Sequence, residues 1–457
     1  MASIGKEVAT PPRLPLTGRR VTVMGLGRHG GGLAAVRYLA QAGAHVTVSD
    51  CADRSQLQAT LVALADLPFV DIHLGGHHRQ HFLDTDLLVV NPAVRPDNTY
   101  IAVARDAGIP ITSEIELFLE RCPASIVGVT GSCGKSTTAA MIAAIGHSAG
   151  RRTWLGGNIE RSLLPDLHKI RADDLVVLEL SSFQLAWLGP AARRPDVAVV
   201  TNCEPNHLDW HGSYDEYLAA KQKIIDAGQT DQQIFIGDQL GAEWGCRPWL
   251  SHAQMPWPDH RIPPLQIPGD HNRRNASLAA AAAAAVGCDD QAVRAGLQAF
   301  HGLPHRLAPL GQVEGRQFIN DSQATTPAAT IAALQGIGRP CWLLAGGADK
   351  GAALDRFSRH VLEHCCGAAF FGDTGGKMFA AVARRAADFD AVRVPTLAAG
   401  LDWCWPRSRA GDVILLSPAC SSLDQYADYA QRADDFRKQM TRLGRQVPCQ
   451  QHAACLV

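Results

Sequence analysis

Short runs of β-branched and other apolar residues recur along the chain, and stretches with helical spacing separate them. The runs Arg20–Met24, His45–Ser49, Leu87–Val90, Ile126–Val129, Leu175–Leu180, Val197–Thr201, Cys341–Leu344, Ala368–Phe371 and Val413–Leu416 are continuous rather than alternating. A strand that is apolar on both faces must be covered on both, which predicts mainly parallel sheets flanked by helices. The fold class is therefore α/β. No fixed-period repeat breaks the alternation. The one compositional interruption is Arg247–Pro268, where six prolines and two tryptophans predict an irregular excursion.

A length of 457 residues, at roughly 150 per domain, predicts three domains. They are placed at 17–112 (Rossmann-like), 113–302 (central P-loop ATPase type) and 303–457 (Rossmann-like). A loose tail is expected over 1–16, which contains Pro11, Pro12 and Pro15. That tail has no apolar core of a signal peptide. No apolar run reaches the roughly 18 residues of a membrane span, and the longest weakly polar stretch, Leu278–Gly287, is mostly alanine. A net charge of −1 provides no basic field for nucleic acid. Thirteen cysteines with no C-x-x-C spacing point to reduced thiols. The expectation is a cytoplasmic monomer with no membrane insertion and no nucleic-acid partner, in which scattered residues hold any metal.

The strongest chemical signal is IVGVTGSCGKSTTAAMIAAI, Ile126–Ile145. An apolar strand runs into a glycine-rich turn, and Lys135 and Ser136 open the following helix. Successive backbone N–H groups and a helix N-terminus cradle phosphate oxygens, a lysine reaches the outer phosphates, and a hydroxyl can ligate magnesium. Gly131, Ser132, Cys133, Gly134, Lys135, Ser136 and Thr137 are therefore expected to bind ATP. The spacing departs from G-x-x-x-x-G-K-[ST]: the first glycine is Gly128, one residue early, and Val129 occupies its place.

A second glycine-rich turn follows the first strand, with Gly25, Gly27 and Gly30 in G-x-G-x-x-G spacing and Asp50 ending the next strand. Read alone this is a dinucleotide fingerprint. The turn itself demands only a diphosphate, which a UDP-sugar carries as well as NAD does, and the same glycines also serve close helix–strand packing.

The loop T-G-S-x-G-K-S-T resembles that of the Mur ligases, ATP-dependent amide-forming enzymes of peptidoglycan precursor synthesis, in which x is usually Asn. Here it is Cys133. The segments GGN (Gly156–Asn158), LELSSFQL (Leu178–Leu185), NHLDWHGS (Asn206–Ser213), YLAAK (Tyr217–Lys221), GDHNRRNASLAA (Gly269–Ala280), LPHR (Leu303–Arg306), INDSQAT (Ile319–Thr325), AGGADKG (Ala345–Gly351) and LLSPACSSLDQY (Leu415–Tyr426) follow in family order. The resemblance covers nearly the whole chain after the tail and is greatest to the members that add D-glutamate. It implies glutamate addition to UDP-N-acetylmuramoyl-L-alanine through an acyl phosphate, with ATP and two magnesium sites.

The resemblance also assigns residues. Gly25, Gly27, Arg28, His29, Gly30, Asp50 and Asn158 would bind the UDP substrate. Lys135, Glu179, His207 and Lys221 would form the catalytic centre, with Ser136, Glu179, His207 and a carbamylated Lys221 as metal ligands. Asn272, Asn275, Arg306 and Asp321 would complete the ATP site, and Thr325, Lys350, Ser422 and Tyr429 would hold the amino acid. On spacing alone, a helix cap is the favoured reading of His207 and a solvated lysine that of Lys221. The family's D-S-K-A-T is D-S-Q-A-T here, so Gln323 replaces a lysine, which leaves a relative using L-glutamate as an alternative. The alternative from another class is a P-loop kinase or regulatory NTPase whose first domain senses a nucleotide.

Overall fold

The computed structural model describes residues 15–27, 30–67, 70–159, 161–225, 231–237, 240, 253–254, 256–267, 269–349 and 351–446. The chain divides into two compact units, one formed by 1–263 with 275–297, the other by 264–274 with 298–457.

The first unit contains two sheets. One holds β1 (Arg20–Met24), β2 (His45–Asp50), β3 (Val70–Leu74), β4 (Leu87–Val90) and β5 (Ile111–Ser113) in the order β3-β2-β1-β4-β5. The other holds β6 (Ser125–Thr130), β7 (Thr153–Gly157), β8 (Leu175–Glu179), β9 (Val197–Val200), β10 (Gln233–Ile236) and β11 (Ala253–Gln254) in the order β11-β10-β9-β6-β8-β7. All pairings in both are parallel. In parallel sheets ligands collect outside the carboxyl ends of the strands, where the order reverses. In the first sheet that point lies between β1 and β4, and in the second the phosphate loop follows the central β6.

The two sheets share one apolar core. Val21, Val46 and Val89 of the first join Ile126, Val176 and Ala198 of the second, and Ile115, Leu117 and Phe118 of the helix Glu114–Arg121 lie among them. Thr112, at the expected first boundary, lies inside β5. Of the expected tail, residues 1–14 lie outside the described residues. Leu16, expected in the tail, is buried in this core.

The second unit is built on β12 (Ala308–Val313), β13 (Arg316–Asn320), β14 (Cys341–Gly346), β15 (Cys365–Phe371), β16 (Ala391–Arg393) and β17 (Val413–Leu416), ordered β12-β13-β17-β14-β15-β16. Only β12 and β13 pair antiparallel; the other pairings are parallel. Of the irregular excursion, the short β11 and the helical turn Asp259–Arg261 are described.

Candidate active site

The phosphate loop spans from the end of β6 to the helix Lys135–Ser148, which Gly134 caps at φ 82°. Gly131 sits at φ 148°, a conformation that side chains rarely adopt. A Cβ there would collide with Thr201 Oγ1. The loop is braced from the end of β9. Ser132 N–H donates to Asn202 O at 3.0 Å, Cys133 N–H to Asn202 Oδ1 at 2.8 Å, and the Thr201 hydroxyl to Cys133 O at 2.5 Å. Lys135 Nζ donates to Ser132 O at 3.0 Å. Asn275 lies against Gly134, close enough that a Cβ on that glycine would strike its side-chain amide.

Glu179 ends β8 and is buried. Its two oxygens are divided: Oε2 accepts from the Ser136 hydroxyl at 2.5 Å, and Oε1 accepts from Asn158 Nδ2 at 2.8 Å. Asn158, expected at the UDP substrate, is here a partner of the Glu179 carboxylate.

Lys221 is buried under the loop on the helix Tyr214–Gln222. Its amine donates to Gly131 O at 2.7 Å and lies 4.7 Å from the centre of the Tyr217 ring. Burial, then the charge of Lys135, pushes its pKa down to about 7. This is not the solvated lysine that spacing alone allows. The Tyr217 hydroxyl meets Ser132 Oγ at 2.7 Å, so the helix carrying Lys221 is tied to the loop through two side chains.

His207 has a left-handed backbone (φ 55°) and starts the short helix Leu208–His211, and its ring meets that of Phe183 edge-on at 4.7 Å. His211 is buried, bonded to Ser182 Oγ at 3.0 Å. Burial and then Lys221 hold its pKa down to about 4, so it is neutral at physiological pH. Among the described residues no group of three or more His, Cys, Asp or Glu side chains is gathered as a metal cage. The donors present are Ser136 and Glu179, both oxygen donors of the kind magnesium prefers when substrate oxygens complete its shell. They fit such an ion.

In the first sheet, Gly25 adopts φ 87°, and a Cβ there would press on Asn91 at the end of β4; Gly27 likewise faces the Asn91 amide. Gly30 caps the helix Gly31–Gln41. Asp50 is buried and occupied by backbone: Oδ2 accepts from Leu26 N–H at 2.7 Å and Gly27 N–H at 3.3 Å, and Oδ1 from Ala52 N–H at 2.8 Å. It stiffens the turn. Arg28 and His29 lie outside the described residues.

In the second unit, Asp321 is buried, with Oδ2 accepting from Ser417 Oγ at 2.7 Å and Oδ1 from Leu307 N–H at 3.1 Å. Burial outweighs these bonds and lifts its pKa to about 7. Leu307 and His305, on either side of Arg306, have positive φ. Ser422 and Asn272 are buried, Thr325 is half-buried and Tyr429 is exposed. Ser322 Oγ donates to Tyr429 O at 2.8 Å, which brings the segment around Gln323 beside the Tyr429 region. Arg432 is fully buried and donates to Ser322 O at 2.8 Å and Cys420 O at 3.2 Å. Lys350 lies outside the described residues.

Three family profiles match the chain in order: "Mur ligase MurD-like, N-terminal domain" over 19–113, "Mur ligase middle domain" over 129–244 and "Mur ligase, glutamate ligase domain" over 305–420. The UDP-N-acetylmuramoylalanine--D-glutamate ligase of Roseiflexus sp. (strain RS-1) is 34 % identical, with 93 % of this chain and 99 % of that protein covered. The chain belongs to the Mur ligase family. The Mur ligase of the same name from Shouchella clausii (strain KSM-K16) is 35 % identical over 92 % of this chain and 96 % of its own. Among solved structures, the UDP-N-acetylmuramate-alanine ligase MurC of Thermotoga maritima shares the fold at TM-score 0.59 and 19 % identity, with 93 % and 99 % of the two chains covered. MurF ligase from Thermotoga maritima, solved in complex with ADP, shares it at TM-score 0.55 and 15 % identity over 95 % and 98 %.

Within this Mur ligase, sequence reasoning passed over Asn91, Thr201, Asn202, Tyr217, His211 and Arg432. Asn91, Thr201 and Asn202 each stand at the end of an apolar run, so strand-end position is the signal that would have found them. Arg432 carries no such mark: an arginine on a helix normally reads as solvent-facing.

Proposed function

We propose that this Mur ligase joins glutamate to UDP-N-acetylmuramoyl-L-alanine at the expense of ATP, through an acyl phosphate on the alanyl carboxylate. The names of relatives 33–35 % identical over 92–93 % of the chain support D-glutamate as the amino acid. The observation that carries the reading is the grouping of Ser136, Glu179 and Lys221 around one phosphate loop.

The loop N–H groups and Lys135 hold the ATP phosphates in line with the carboxylate to be activated, and Asn275 beside Gly134 flanks the nucleotide. Ser136 and Glu179 would hold one magnesium ion, and His207 with Lys221 a second; bound magnesium supplies positive charge where phosphate and carboxylate oxygens gather it. Asn158 keeps the Glu179 carboxylate aimed by binding one of its oxygens. Lys221, with its amine near neutrality, suits conversion to a carbamate. In that step the amine nitrogen bonds to the carbon of CO2 and releases a proton, and the cation becomes an oxygen ligand.

The first domain, 17–112, takes the UDP end at the turn of Gly25, Gly27, Arg28, His29 and Gly30, with Asp50 acting through the backbone it holds. The last, 303–457, presents Thr325, Lys350, Ser422 and Tyr429 to the amino acid, while Asn272, Arg306 and Asp321 serve the nucleotide. The enzyme is read as a cytoplasmic monomer, in keeping with its free cysteines. Among the described residues no helix is long and apolar enough to cross a membrane.

The test is phosphate release from ATP with UDP-N-acetylmuramoyl-L-alanine, alone and with D-glutamate, L-glutamate, D-aspartate or lysine. Release that requires D-glutamate and yields the amide supports the reading. Release independent of any amino acid favours the kinase or regulatory NTPase, and a strong preference for L-glutamate replaces the stereochemical assignment.

A further inference from the structure

The segment after β4 is held at both ends by parts of the candidate site. At its start, Asn91 packs on Gly25 and Gly27, the turn assigned to the UDP diphosphate. Its next residues are clasped by the helical turns that follow β8 and β9. Trp210 Nε1 donates to Ala93 O at 3.0 Å, Trp187 Nε1 to Val94 O at 3.1 Å, and Arg95 Nη1 to Asp209 O at 2.9 Å. Trp210 is three residues from His207 in the same helical turn, and its ring meets Phe183 at 5.0 Å and 82°. Phe183 is the ring against which His207 rests. The His207 backbone is already left-handed, a conformation that for a non-glycine persists only where surrounding contacts impose it.

We propose that Asn91–Arg95 is a positioning strap that links the substrate turn of the first sheet to His207, with Trp210 as its main anchor. The inference rests on the ligase reading above and adds positioning residues to it: Trp210 and Arg95 act through His207 and Asn91 and touch no reacting atom. Substrate bound at Gly25 and Gly27 presses on Asn91. The strap passes that constraint to the helix that sets His207, so UDP-substrate binding and the geometry of the acyl centre are adjusted together. The segment NPAVRPD, residues 91–97, suits the task because its two prolines fix φ and stiffen the connection.

Trp210→Phe keeps a ring against Phe183 and removes the indole N–H together with the rest of the five-membered ring. Arg95→Ala removes the exposed anchor at small risk to folding. The variants are compared with wild type by calorimetric binding of UDP-N-acetylmuramoyl-L-alanine without ATP, by KM for each substrate, and by the magnesium concentration at half-maximal activity. The expected result for each is a Kd and KM for the UDP substrate raised roughly 5- to 10-fold, the scale of one hydrogen bond. The magnesium midpoint shifts upward and KM for ATP stays within about twofold. Trp342→Phe is the control: it too loses an indole N–H bond, to the Asp412 carboxylate at 3.0 Å in the second unit, and is expected to lower Tm while leaving UDP-substrate binding unchanged. Unaltered Kd and magnesium midpoint in both strap variants overturn the strap, as does an equal loss of affinity for ATP. A wild-type enzyme that releases no phosphate in response to any of the amino acids overturns the ligase reading instead, a separate outcome.

Discussion

The Ser136 hydroxyl and Glu179 Oε2 meet at 2.5 Å, so the first turn of the loop helix and the last residue of β8 form one oxygen-rich pair beside the phosphate cradle. Replacing Glu179 with Gln keeps the shape and removes the charge, and Lys135→Ala removes the opposing cation. Each is expected to lower ADP release by about 10²- to 10³-fold, the usual cost of one preorganised electrostatic group, with unchanged circular dichroism. Near wild-type rates in either variant would remove this pair from the mechanism.

Lys221 gives a pH signature of definite sign. Its folded pKa of about 7 lies below the ordinary 10.5, so between pH 7 and 10 the unfolded chain binds more protons at this site and stability rises with pH. The neutral amine that CO2 requires also becomes abundant above pH 7. Enzyme stripped of CO2 at pH 6 is expected to lose activity and to regain it on adding bicarbonate faster at pH 8 than at pH 6. The carbamate should appear as a 13C carbonyl signal absent from Lys221→Met. Full activity in CO2-free buffer at pH 8 with no such signal would refute carbamylation.

Gln323 stands where the family motif has lysine. A neutral amide donates more weakly to a carboxylate than an ammonium does. Gln323→Lys should therefore lower KM for D-glutamate by roughly 10-fold, since a hydrogen bond to a charged group contributes about 1.5 kcal/mol or more. Steady-state assays with both enantiomers check this. An unchanged KM would mean that Gln323 lies off the amino acid.

Glu114 is buried, accepts from the Ser162 hydroxyl, and has its pKa lifted by burial to about 7. A raised carboxyl pKa gives stability that is complete below about pH 4.5 and is lost as pH rises through 7. Glu114→Gln, which stays neutral, should match wild type near pH 5. At pH 8 it should melt about 3 °C or more above wild type. Parallel melting curves from pH 5 to 8 would show that this carboxyl does not titrate in the folded protein.

All nine apolar runs became strands, because strands buried on both faces write their position as unbroken hydrophobicity. The strands that were missed sit mainly at sheet edges: β3, β5, β7, β11, β12 and β16. There polar side chains are tolerated, and VDIHL of β3 or TWLGG of β7 reads as neither period. The site divides in the same way. The loop from Gly131 to Thr137 is contiguous and reads directly as a phosphate cradle; Glu179 reads as a carboxylate at a strand end, whereas Lys221 enters only through the family resemblance, since its spacing alone suggests a solvated lysine. The family resemblance assigns Asn158 to the UDP substrate, and sequence order gives no sign that its amide reaches Glu179. Tyr217 and His211 carry no mark in the sequence because their contacts depend on which rings and hydroxyls the fold brings beside the loop. Asp50 is expected at the UDP substrate, but the sequence does not show the backbone N–H groups it holds, because a carboxylate at a strand end can face either ligand or backbone.

Gly131 is clamped, with its carbonyl taken by the Lys221 amine and its α-carbon crowded by Thr201. A backbone held in this way forfeits little disorder when phosphates dock on it. The same stiffness returns nothing on exit. Loosening either grip should therefore show first in how quickly spent ADP departs.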